Sequence, residues 1–572
     1  MDWQRSLLIS AMLVVLYMLF LEWNKFQEEH APVVDRATVE EVVTPELPEP
    51  NIDDISADIS VDNTLDHSVN DLPTAIEEEG VEQVSEALTP TAVNTRLVKV
   101  STDVLTVLID THGGDIVRVE LPEHLTKLGE GSSPFILLNR GTTTTYIAQS
   151  GLVGTNGTDT AAGRPLFTTS AKEYQLEDGQ DSVEVNLTLQ QGNVLITKQF
   201  SFKRSDYLID LTYLVDNKSS ETWKAGLFGQ IKRDSHNPTV TNAMSMQPFL
   251  GAALTTVDEN YKKLDFEDIA DESLKEKTNG GWIAMVQHYF VSAWIPNQNT
   301  MNSFNLRKLG SKDLYTLGFT SPQVSIAAGT KGEIKAAFYA GPKDQYRFEK
   351  ISPYLDLTLD YGWLWWIAKP LFWVLYQLHE FLGNWGWSIV LLTVMIKAAF
   401  YRLSATSYRS MANMRKLQPE MLRLKELYGD DRQKMSQETM NLYKKEKVNP
   451  LGGCLPILVQ MPVFIALYWV LMESVELRHS PWILWINDLS VKDPYFVLPL
   501  IMGVSMFIQQ KLNPTPPDPM QAKIMQMMPI AFTFFFMFFP AGLVLYWTVN
   551  NVLSIIQQWL ITRKIEGEAA KK

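Results

Sequence analysis

Residues 388–401 read Ser388-Ile-Val-Leu-Leu-Thr-Val-Met-Ile-Lys397-Ala-Ala-Phe400-Tyr401, an apolar run interrupted by one charge, at Lys397. A charged side chain at the centre of a bilayer costs roughly 3 kcal/mol on insertion scales. No carboxylate within the run can neutralise the ammonium, so another helix or a water-filled cavity must solvate it. Two interpretations are open: Lys397 marks a functional site, or it extends from the cytoplasmic end of its helix toward the headgroups.

The chain is acidic overall, but its charge is unevenly distributed. The 572 residues carry a formal net charge of −15. No Lys or Arg occurs between Arg36 and Arg96, where Asp and Glu accumulate without hydrophobic periodicity. Because such composition is typical of disordered chains, residues 25–95 are predicted to form an acidic linker. The acidity therefore says little about the partners of the folded parts.

The sequence lacks the residue patterns of common catalytic sites. Cys454 is the only cysteine, which excludes an intrachain disulfide. The 8 histidines show no metal-ligand spacing, and neither a phosphate-binding glycine loop nor a Gly-x-Ser-x-Gly elbow occurs. We therefore expect no enzyme activity and no cofactor.

The N-terminal part predicts an anchor followed by a β domain. Residues 1–24 contain the apolar run Leu7–Leu21 without a small-x-small cleavage site, which predicts an uncleaved transmembrane anchor with a cytoplasmic N-terminus. Residues 96–347 contain short alternating strands separated by turn signals such as Gln191-Gly192. This pattern predicts one large periplasmic β-sandwich.

The C-terminal third predicts a helical membrane domain. Residues 348–387 are rich in Trp and contain Pro370, which favours an amphipathic helix at the membrane interface over a spanning one. Residues 388–562 then hold five candidate spans: Ser388–Leu403, Leu455–Met472, Tyr495–Gln510, Ile524–Phe539 and Leu543–Ile561. The excess of Lys and Arg between the spans and in the tail 563–572 predicts a cytoplasmic C-terminus.

A basic helical hairpin is predicted at 404–450. Met and Leu residues recur three or four positions apart, and Gly429-Asp430-Asp431 interrupts the pattern where a turn with an Asp cap is expected. The hairpin could meet anionic lipid, ribosomal RNA or an acidic protein, or its charges could only be solvated. The candidate docking residues are Arg409, Arg415, Lys416, Asp430, Asp431 and Arg432.

Two motifs resemble the YidC/Oxa1/Alb3 family of membrane insertases. One is Asn449-Pro-Leu-Gly-Gly-Cys-Leu-Pro456 with the following Gln460-Met-Pro462, and the other is Phe539-Pro-Ala-Gly-Leu-Val-Leu-Tyr546-Trp-Thr-Val-Asn-Asn551. The layout is similar to the Gram-negative form of the family, which has a large periplasmic domain. The resemblance implies an inner-membrane protein with an N-terminal anchor, a supersandwich-like all-β domain, a five-helix insertase core and a cytoplasmic hairpin.

The resemblance also implies a site and partners. In that family a hydrophilic groove carries a single cation, which corresponds here to Lys397. The other implied groove residues are Thr393, Gln460, Tyr546 and Trp547. The family most often has Arg at this position, and Lys keeps the charge without the bidentate fork. The implied partners are nascent inner-membrane proteins, the lipid bilayer, the Sec translocon with its accessory subunits, the ribosome and the signal recognition particle receptor.

Two rival functions are compatible with parts of the sequence. A solute transporter would also bury a cation in the membrane, although the paired interrupted helices of transporter repeats are not evident. An envelope carbohydrate enzyme or lectin could use the β domain, but a fold carries no function by itself. Because that domain lacks an evident acid/base pair, we expect it to serve in scaffolding or partner docking.

Overall fold

The computed structural model describes residues 96–129, 131–141, 143–238, 248–428, 431–446, 448, 455–513 and 519–569. The expected anchor at 1–24 and the expected linker at 25–95 lie outside the described residues. So do the hairpin turn at 429–430 and most of the motif at 449–456.

The N-terminal half of the described chain is rich in β-strands. The strands are β1 (Leu97–Ser101), β2 (Thr106–Asp110), β3 (Asp115–Leu125), β4 (Pro134–Arg140), β5 (Thr145–Val153), β6 (Thr168–Thr169), β7 (Glu173–Gln175), β8 (Ser182–Gln191), β9 (Val194–Lys203), β10 (Leu208–Asn217), β11 (Trp223–Arg233), β12 (Gly251–Leu254), β13 (Lys262–Leu264), β14 (Leu274–Asn279), β15 (Ile283–Val286), β16 (Phe290–Pro296), β17 (Met301–Lys308), β18 (Tyr315–Thr320), β19 (Val324–Ile326) and β20 (Thr330–Pro342). A short helix, α1 (Phe266–Asp271), follows β13.

These strands form two sheets. An 11-stranded sheet runs in the order β14-β17-β18-β11-β5-β4-β3-β2-β1-β7, with β19 added beside β11. A 9-stranded sheet runs in the order β13-β12-β15-β16-β20-β10-β9-β8-β6. Most neighbours are antiparallel, as in β8 and β9, where Gln191 pairs with Val194 across a tight turn. The predicted large β-rich domain is therefore present.

Alternating side chains build the core of the β domain. In β9 the buried positions are every second residue, from Val194 through Ile196 and Lys198 to Phe200 and Phe202. Because successive residues of a strand point to opposite faces, this pattern places one face of the strand inside. Lys198 is the one charged residue among these buried positions, and its ammonium donates to the carbonyl oxygens of Gly113 and Ser150.

The C-terminal half is helical. The helices are α2 (Gln345–Ile351), α3 (Trp365–Leu382), α4 (Trp385–Ala399), α5 (Tyr401–Lys416), α6 (Gln418–Tyr428), α7 (Arg432–Lys445), α8 (Leu455–Glu473), α9 (Val497–Leu512), α10 (Pro519–Phe536) and α11 (Ala541–Ala569). Helix α3 buries Ala368, Phe372 and Leu375, while Trp366 and Trp373 are exposed.

The first expected span is shorter than its apolar pattern. The sequence predicts this span at Ser388–Leu403, but α4 ends at Ala399 and Phe400 leaves the helical conformation before α5 begins. Among the described residues, no single helix combines the length and apolar composition needed to cross a bilayer, whereas α4 and α5 together do so with a 68° bend. The other four expected spans coincide with α8 to α11, with ends displaced along the chain.

The basic hairpin also differs from its expected form. The apolar pattern predicts a continuous first arm from Ser404 to Tyr428, but α5 ends at Lys416 and Leu417 separates it from α6. Pro419 explains the break, because it has no backbone N–H to donate to the Arg415 carbonyl oxygen and is therefore tolerated only in the first turn of a helix, which here is α6. Only α6 and α7 form the hairpin, where the Tyr443 hydroxyl donates to the Met421 sulfur at 3.5 Å.

Candidate functional site

A cavity of about 210 Å³ lies between α5, α8, α9 and α11. Its wall combines aromatic and Met side chains with amides and hydroxyls, and no Asp or Glu contributes to it among the described residues. The polar members are Ser407, Gln460, Gln509, Asn513, Asn550, Asn551 and Ser554. The apolar and aromatic members are Tyr408, Met411, Met461, Phe464, Met506, Tyr546 and Trp547.

Lys397 contacts the wall of this cavity through one hydroxyl. It lies in the last turn of α4 and is 7% exposed. Its Nζ donates to Ser554 Oγ at 2.8 Å, and Ser554 in turn donates to the Asn550 carbonyl oxygen at 2.7 Å. Because Ser554 lines the cavity, the ammonium is hydrogen-bonded to a side chain of the cavity wall.

The ammonium of Lys397 has few protein partners. Within the described part of the chain, its hydrogen-bond partner is the Ser554 hydroxyl, and it forms no ion pair with a carboxylate there. A lysine ammonium has three donors, so two need partners beyond that hydroxyl. The adjacent cavity has polar walls and space for water molecules, which are suitable acceptors.

The structure brings together most, but not all, of the expected groove residues. Gln460, Tyr546 and Trp547 line the same cavity. The ring of Phe464 packs against both aromatic rings: the ring centroids are 6.2 Å apart for Tyr546 and 4.5 Å apart, edge to face, for Trp547. Thr393 does not line the cavity, because it is 1% exposed and its hydroxyl donates to the Ile389 carbonyl oxygen of its own helix at 2.7 Å.

Several cavity residues were missed in the sequence. Asn550 and Ser554 were missed although they follow the predicted Tyr546 at intervals of four positions along α11, which places all three on one helix face. Gln509 and Asn513 have the same spacing near the end of α9. This recurrence of polar residues in otherwise apolar helices was the available signal.

The expected docking residues of the hairpin are distributed over two helices. Arg409, Arg415 and Lys416 are exposed on α5. Asp431 caps α7 by accepting a hydrogen bond from the Lys434 backbone N–H at 3.0 Å. Asp430 and the side chain of Arg432 lie outside what the structure describes.

Comparison with known proteins gives full-length matches. A family model described as "YidC periplasmic domain" matches residues 97–374, and one described as "60Kd inner membrane protein" matches residues 377–569. The membrane protein insertase YidC of Cellvibrio japonicus is 56% identical over 100% of both chains. That of Ectopseudomonas mendocina is 51% identical over 100% of this chain and 99% of its own.

A solved structure was also matched. The crystal structure of an active YidC insertase aligns with 81% of this chain and 92% of its own, with 19% identity and a TM-score of 0.37. The family assignment depends instead on the two family models and on relatives that are more than half identical from end to end. On those grounds, this chain belongs to the YidC family of membrane protein insertases.

Proposed function

We propose that this protein inserts nascent proteins into the bacterial inner membrane and that the cavity beside Lys397 receives polar segments of the client. Both termini are then cytoplasmic and the β domain is periplasmic. Insertase activity is the function named for the relatives that match over the full length. The groove and its cation are our assignment to the residues of this chain.

The polar wall of the cavity supports this proposal through the energetics of burial. A polar group moved into hydrocarbon without a hydrogen-bond partner costs several kcal/mol. The amides of Gln460, Gln509 and Asn550 each offer both donors and acceptors to a passing segment. A client segment that enters the cavity would therefore cross part of the bilayer without losing its hydrogen bonds.

The charge of Lys397 would favour one class of client segment. Because its ammonium has no carboxylate partner among the described residues, its positive field is available to a client. That field attracts acidic segments and backbone carbonyl groups. A lysine acts as a point charge without the fixed fork of arginine, so the attraction should tolerate many client geometries.

Exposed apolar side chains on α8 and α10 support a lateral exit for the apolar helix of a client. Leu458 and Met461 are exposed on α8, and Ile524, Met527 and Phe534 are exposed on α10. Methionine is flexible and polarizable, so it adapts to partners of different shape. No nucleotide-binding motif occurs in the sequence, and partitioning of the client into lipid would then drive insertion.

The exposed cations of α5 support docking of cytoplasmic partners. Arg409, Arg415 and Lys416 form a basic surface suited to ribosomal RNA or an acidic protein surface. The ribosome and the signal recognition particle receptor are therefore proposed partners. For other clients, we propose cooperation with the Sec translocon and its accessory subunits.

The observation that carries the proposal is the hydrogen bond of Lys397 to Ser554 in the wall of a polar cavity. The test is reconstitution in liposomes with a single-span client that has a short acidic tail. Wild type is compared with Lys397→Arg, Lys397→Ala and Lys397→Glu. We expect Arg to retain insertion, Ala to reduce it and Glu to abolish it.

Lys511→Ala is the matched control, because Lys511 is an exposed cation of α9 outside the cavity wall. It should insert the client as well as wild type does. Equal insertion by all Lys397 variants would refute the role of the cation. Failure of the wild type to insert any client, with uptake of a small solute instead, would favour a transporter.

A further inference from the structure

The β domain and the end of α8 share a buried ion pair. Lys343 directly follows β20, and its ammonium donates to a carboxylate oxygen of Glu473, the last residue of α8. The two side chains are 2% and 5% exposed, so solvent screens their attraction little. Removing one partner of such a pair leaves the other charge buried and uncompensated, which is strongly unfavourable.

A second polar contact fixes the same helix end. His288 Nε2 lies 2.8 Å from the Met472 carbonyl oxygen. This carbonyl is in the last turn of α8, where backbone acceptors have no partner within the helix. Burial, reinforced by the charge of Lys343, lowers the pKa of His288 to about 3. The ring is therefore neutral at neutral pH, and its Nε2–H donates to the carbonyl.

A third contact holds the chain just beyond α8. The Arg478 guanidinium donates to the Leu125 carbonyl oxygen at the end of β3. It also lies over the rings of Phe135 and Phe290, 5.6 Å from each centroid. These rings belong to β4 and β16 and stack on each other at 4.3 Å.

Apolar packing surrounds these polar contacts. Trp282, Val291 and Tyr339 of the β domain belong to the same buried cluster as Leu467 and Leu471 of α8. Polar contacts at the end of α8 and apolar contacts along its side together restrict both the shift of this helix along its axis and its rotation about that axis. A single flexible tether would restrict neither.

The contacts at the end of α8 also limit the movement of those residues of α8 that line the cavity. Phe464 lies nine positions before Glu473 on a helical segment that continues without interruption after Pro462. At about 1.5 Å per residue, the fixed end and the cavity wall are about 14 Å apart along the axis. A rotation or shift at the fixed end would therefore move Phe464 relative to Tyr546 and Trp547.

We infer that Lys343 and His288 are positioning residues, through which the β domain sets the cavity-lining face of α8. The positioning stands on the contacts alone, and its effect on insertion rests on the proposed function. The β domain would then be part of the scaffold of the cavity.

The test is a labelling experiment that reports the position of α8 directly. Met461→Cys is placed on the cavity wall in a Cys454→Ser background, and its rate of reaction with a charged, water-soluble thiol reagent is measured in liposomes. Lys343→Met should change that rate by about threefold or more, because it removes the ion pair while preserving most of the side-chain volume. Lys343→Arg, which keeps the cation, should stay within about a factor of two of the parent.

A second pair of variants guards against a folding defect in Lys343→Met. His288→Phe removes the donor to Met472 and should also change the labelling rate, whereas His288→Gln should restore it. The control is Lys335→Met, which breaks only the exposed pair of Lys335 with Glu333 in the same domain and should leave the rate unchanged. A rate at Met461→Cys that is the same in all these variants would overturn the inference.

Insertion of the single-span client is measured in the same liposomes. A decrease that parallels the labelling change, with rescue by Lys343→Arg, supports the link between the β domain and the cavity. A labelling change with unaltered insertion would refute that link. If the parent protein inserts no client, the proposed function fails, while the labelling rates still decide the positioning.

Discussion

Two buried lysines distinguish the β domain from the helical domain. Lys198 is fully buried between the sheets, where its Nζ donates to the carbonyl oxygens of Gly113 and Ser150, each at 2.9 Å. Lys397 is almost as buried, but within the described residues its hydrogen-bond partner is the single hydroxyl of Ser554. Burial alone therefore does not tell a lysine with several protein acceptors from one with a single acceptor.

The surroundings of the two ammonium groups account for the difference. Beside Lys198, Arg164 forms ion pairs with Asp115 and Asp159, so charges and carbonyl groups are matched inside the β domain. Beside Lys397 there is a cavity with a polar wall and no carboxylate among the described residues. A cation with several protein acceptors and balanced charges around it stabilises a fold, whereas one with a single acceptor beside open space is available to a ligand.

The largest expected effect is the loss of stability that follows from truncating Lys198. Lys198→Ala removes a fully buried side chain and its hydrogen bonds to Gly113 and Ser150, and it should lower the free energy of unfolding by about 3–5 kcal/mol. Lys198→Met keeps most of the packing and should cost about 1–3 kcal/mol. Urea unfolding of the full chain in detergent, followed by circular dichroism, measures both. A loss below that of the exposed Lys335→Ala would contradict the structural role of Lys198.

A third buried ionisable side chain, Glu476, lies at the border between the two regions and should make the free energy of unfolding depend on pH. Burial raises the pKa of Glu476 to about 7, with the charge of Asp344 adding to the effect, and one carboxylate oxygen has no hydrogen-bond partner among the described residues. Because the folded pKa exceeds the unfolded one, stability should fall as the pH rises from about 4.5 through about 7.

Glu476→Gln should remove this dependence and stabilise the protein at pH 8 by at most about 3 kcal/mol. Thermal unfolding of the full chain between pH 4.5 and pH 8 measures the difference from wild type. Glu349→Gln, at an exposed position of α2, is the control and should leave the pH profile unchanged. Parallel profiles for wild type and Glu476→Gln would show that Glu476 is not kept neutral by burial.

Removing polar groups from the cavity wall should impair insertion without unfolding the protein. The double variant Gln460→Leu with Asn550→Leu should slow insertion of a client with a polar tail by about tenfold, equivalent to about 1.4 kcal/mol. A client that translocates only a few apolar residues should be affected much less. Asn441→Leu, on the exposed surface of α7, provides the control. Equal slowing of both clients would argue against a role of the wall in receiving polar segments.

The smallest effect is expected from the partner of Lys397. Ser554→Ala removes one acceptor of the ammonium and leaves the cavity and the charge in place, so insertion should fall by only about two- to threefold. Ser554→Thr retains the hydroxyl and should behave as wild type does. A loss as large as that of Lys397→Glu would mean that Ser554 itself, and not the cation, carries the activity.

The sequence predicts a special role for Lys397 but gives no sign of the buried Lys198, and the difference has physical reasons. Lys397 was evident because a charge within an apolar run is conspicuous, and Tyr546 and Trp547 lie within a long family motif. Lys198 was not evident, since it occupies an inward position of a strand that otherwise alternates regularly and its partners come from distant strands. A buried lysine in a strand has no local signature of its own.

The two helix breaks also differ in whether the sequence contains a local cause for them. The break at Leu417 has a local cause in Pro419, which was available in the sequence. The bend after Ala399 has no proline or glycine beside it, and only the structure reveals it. The contact of Lys343 with Glu473 joins residues 130 positions apart, and no local pattern predicts such a pair.

The most direct test of the central claim measures whether water reaches the Lys397 position in a bilayer. Lys397→Cys and Val394→Cys are made separately in a Cys454→Ser background and exposed in liposomes to a charged thiol reagent. Val394 lies on the same helix and is 40% exposed on a face that we assign to lipid. The account predicts rapid labelling at position 397 and little at position 394. Labelling at 397 that is no faster than at 394 would contradict it.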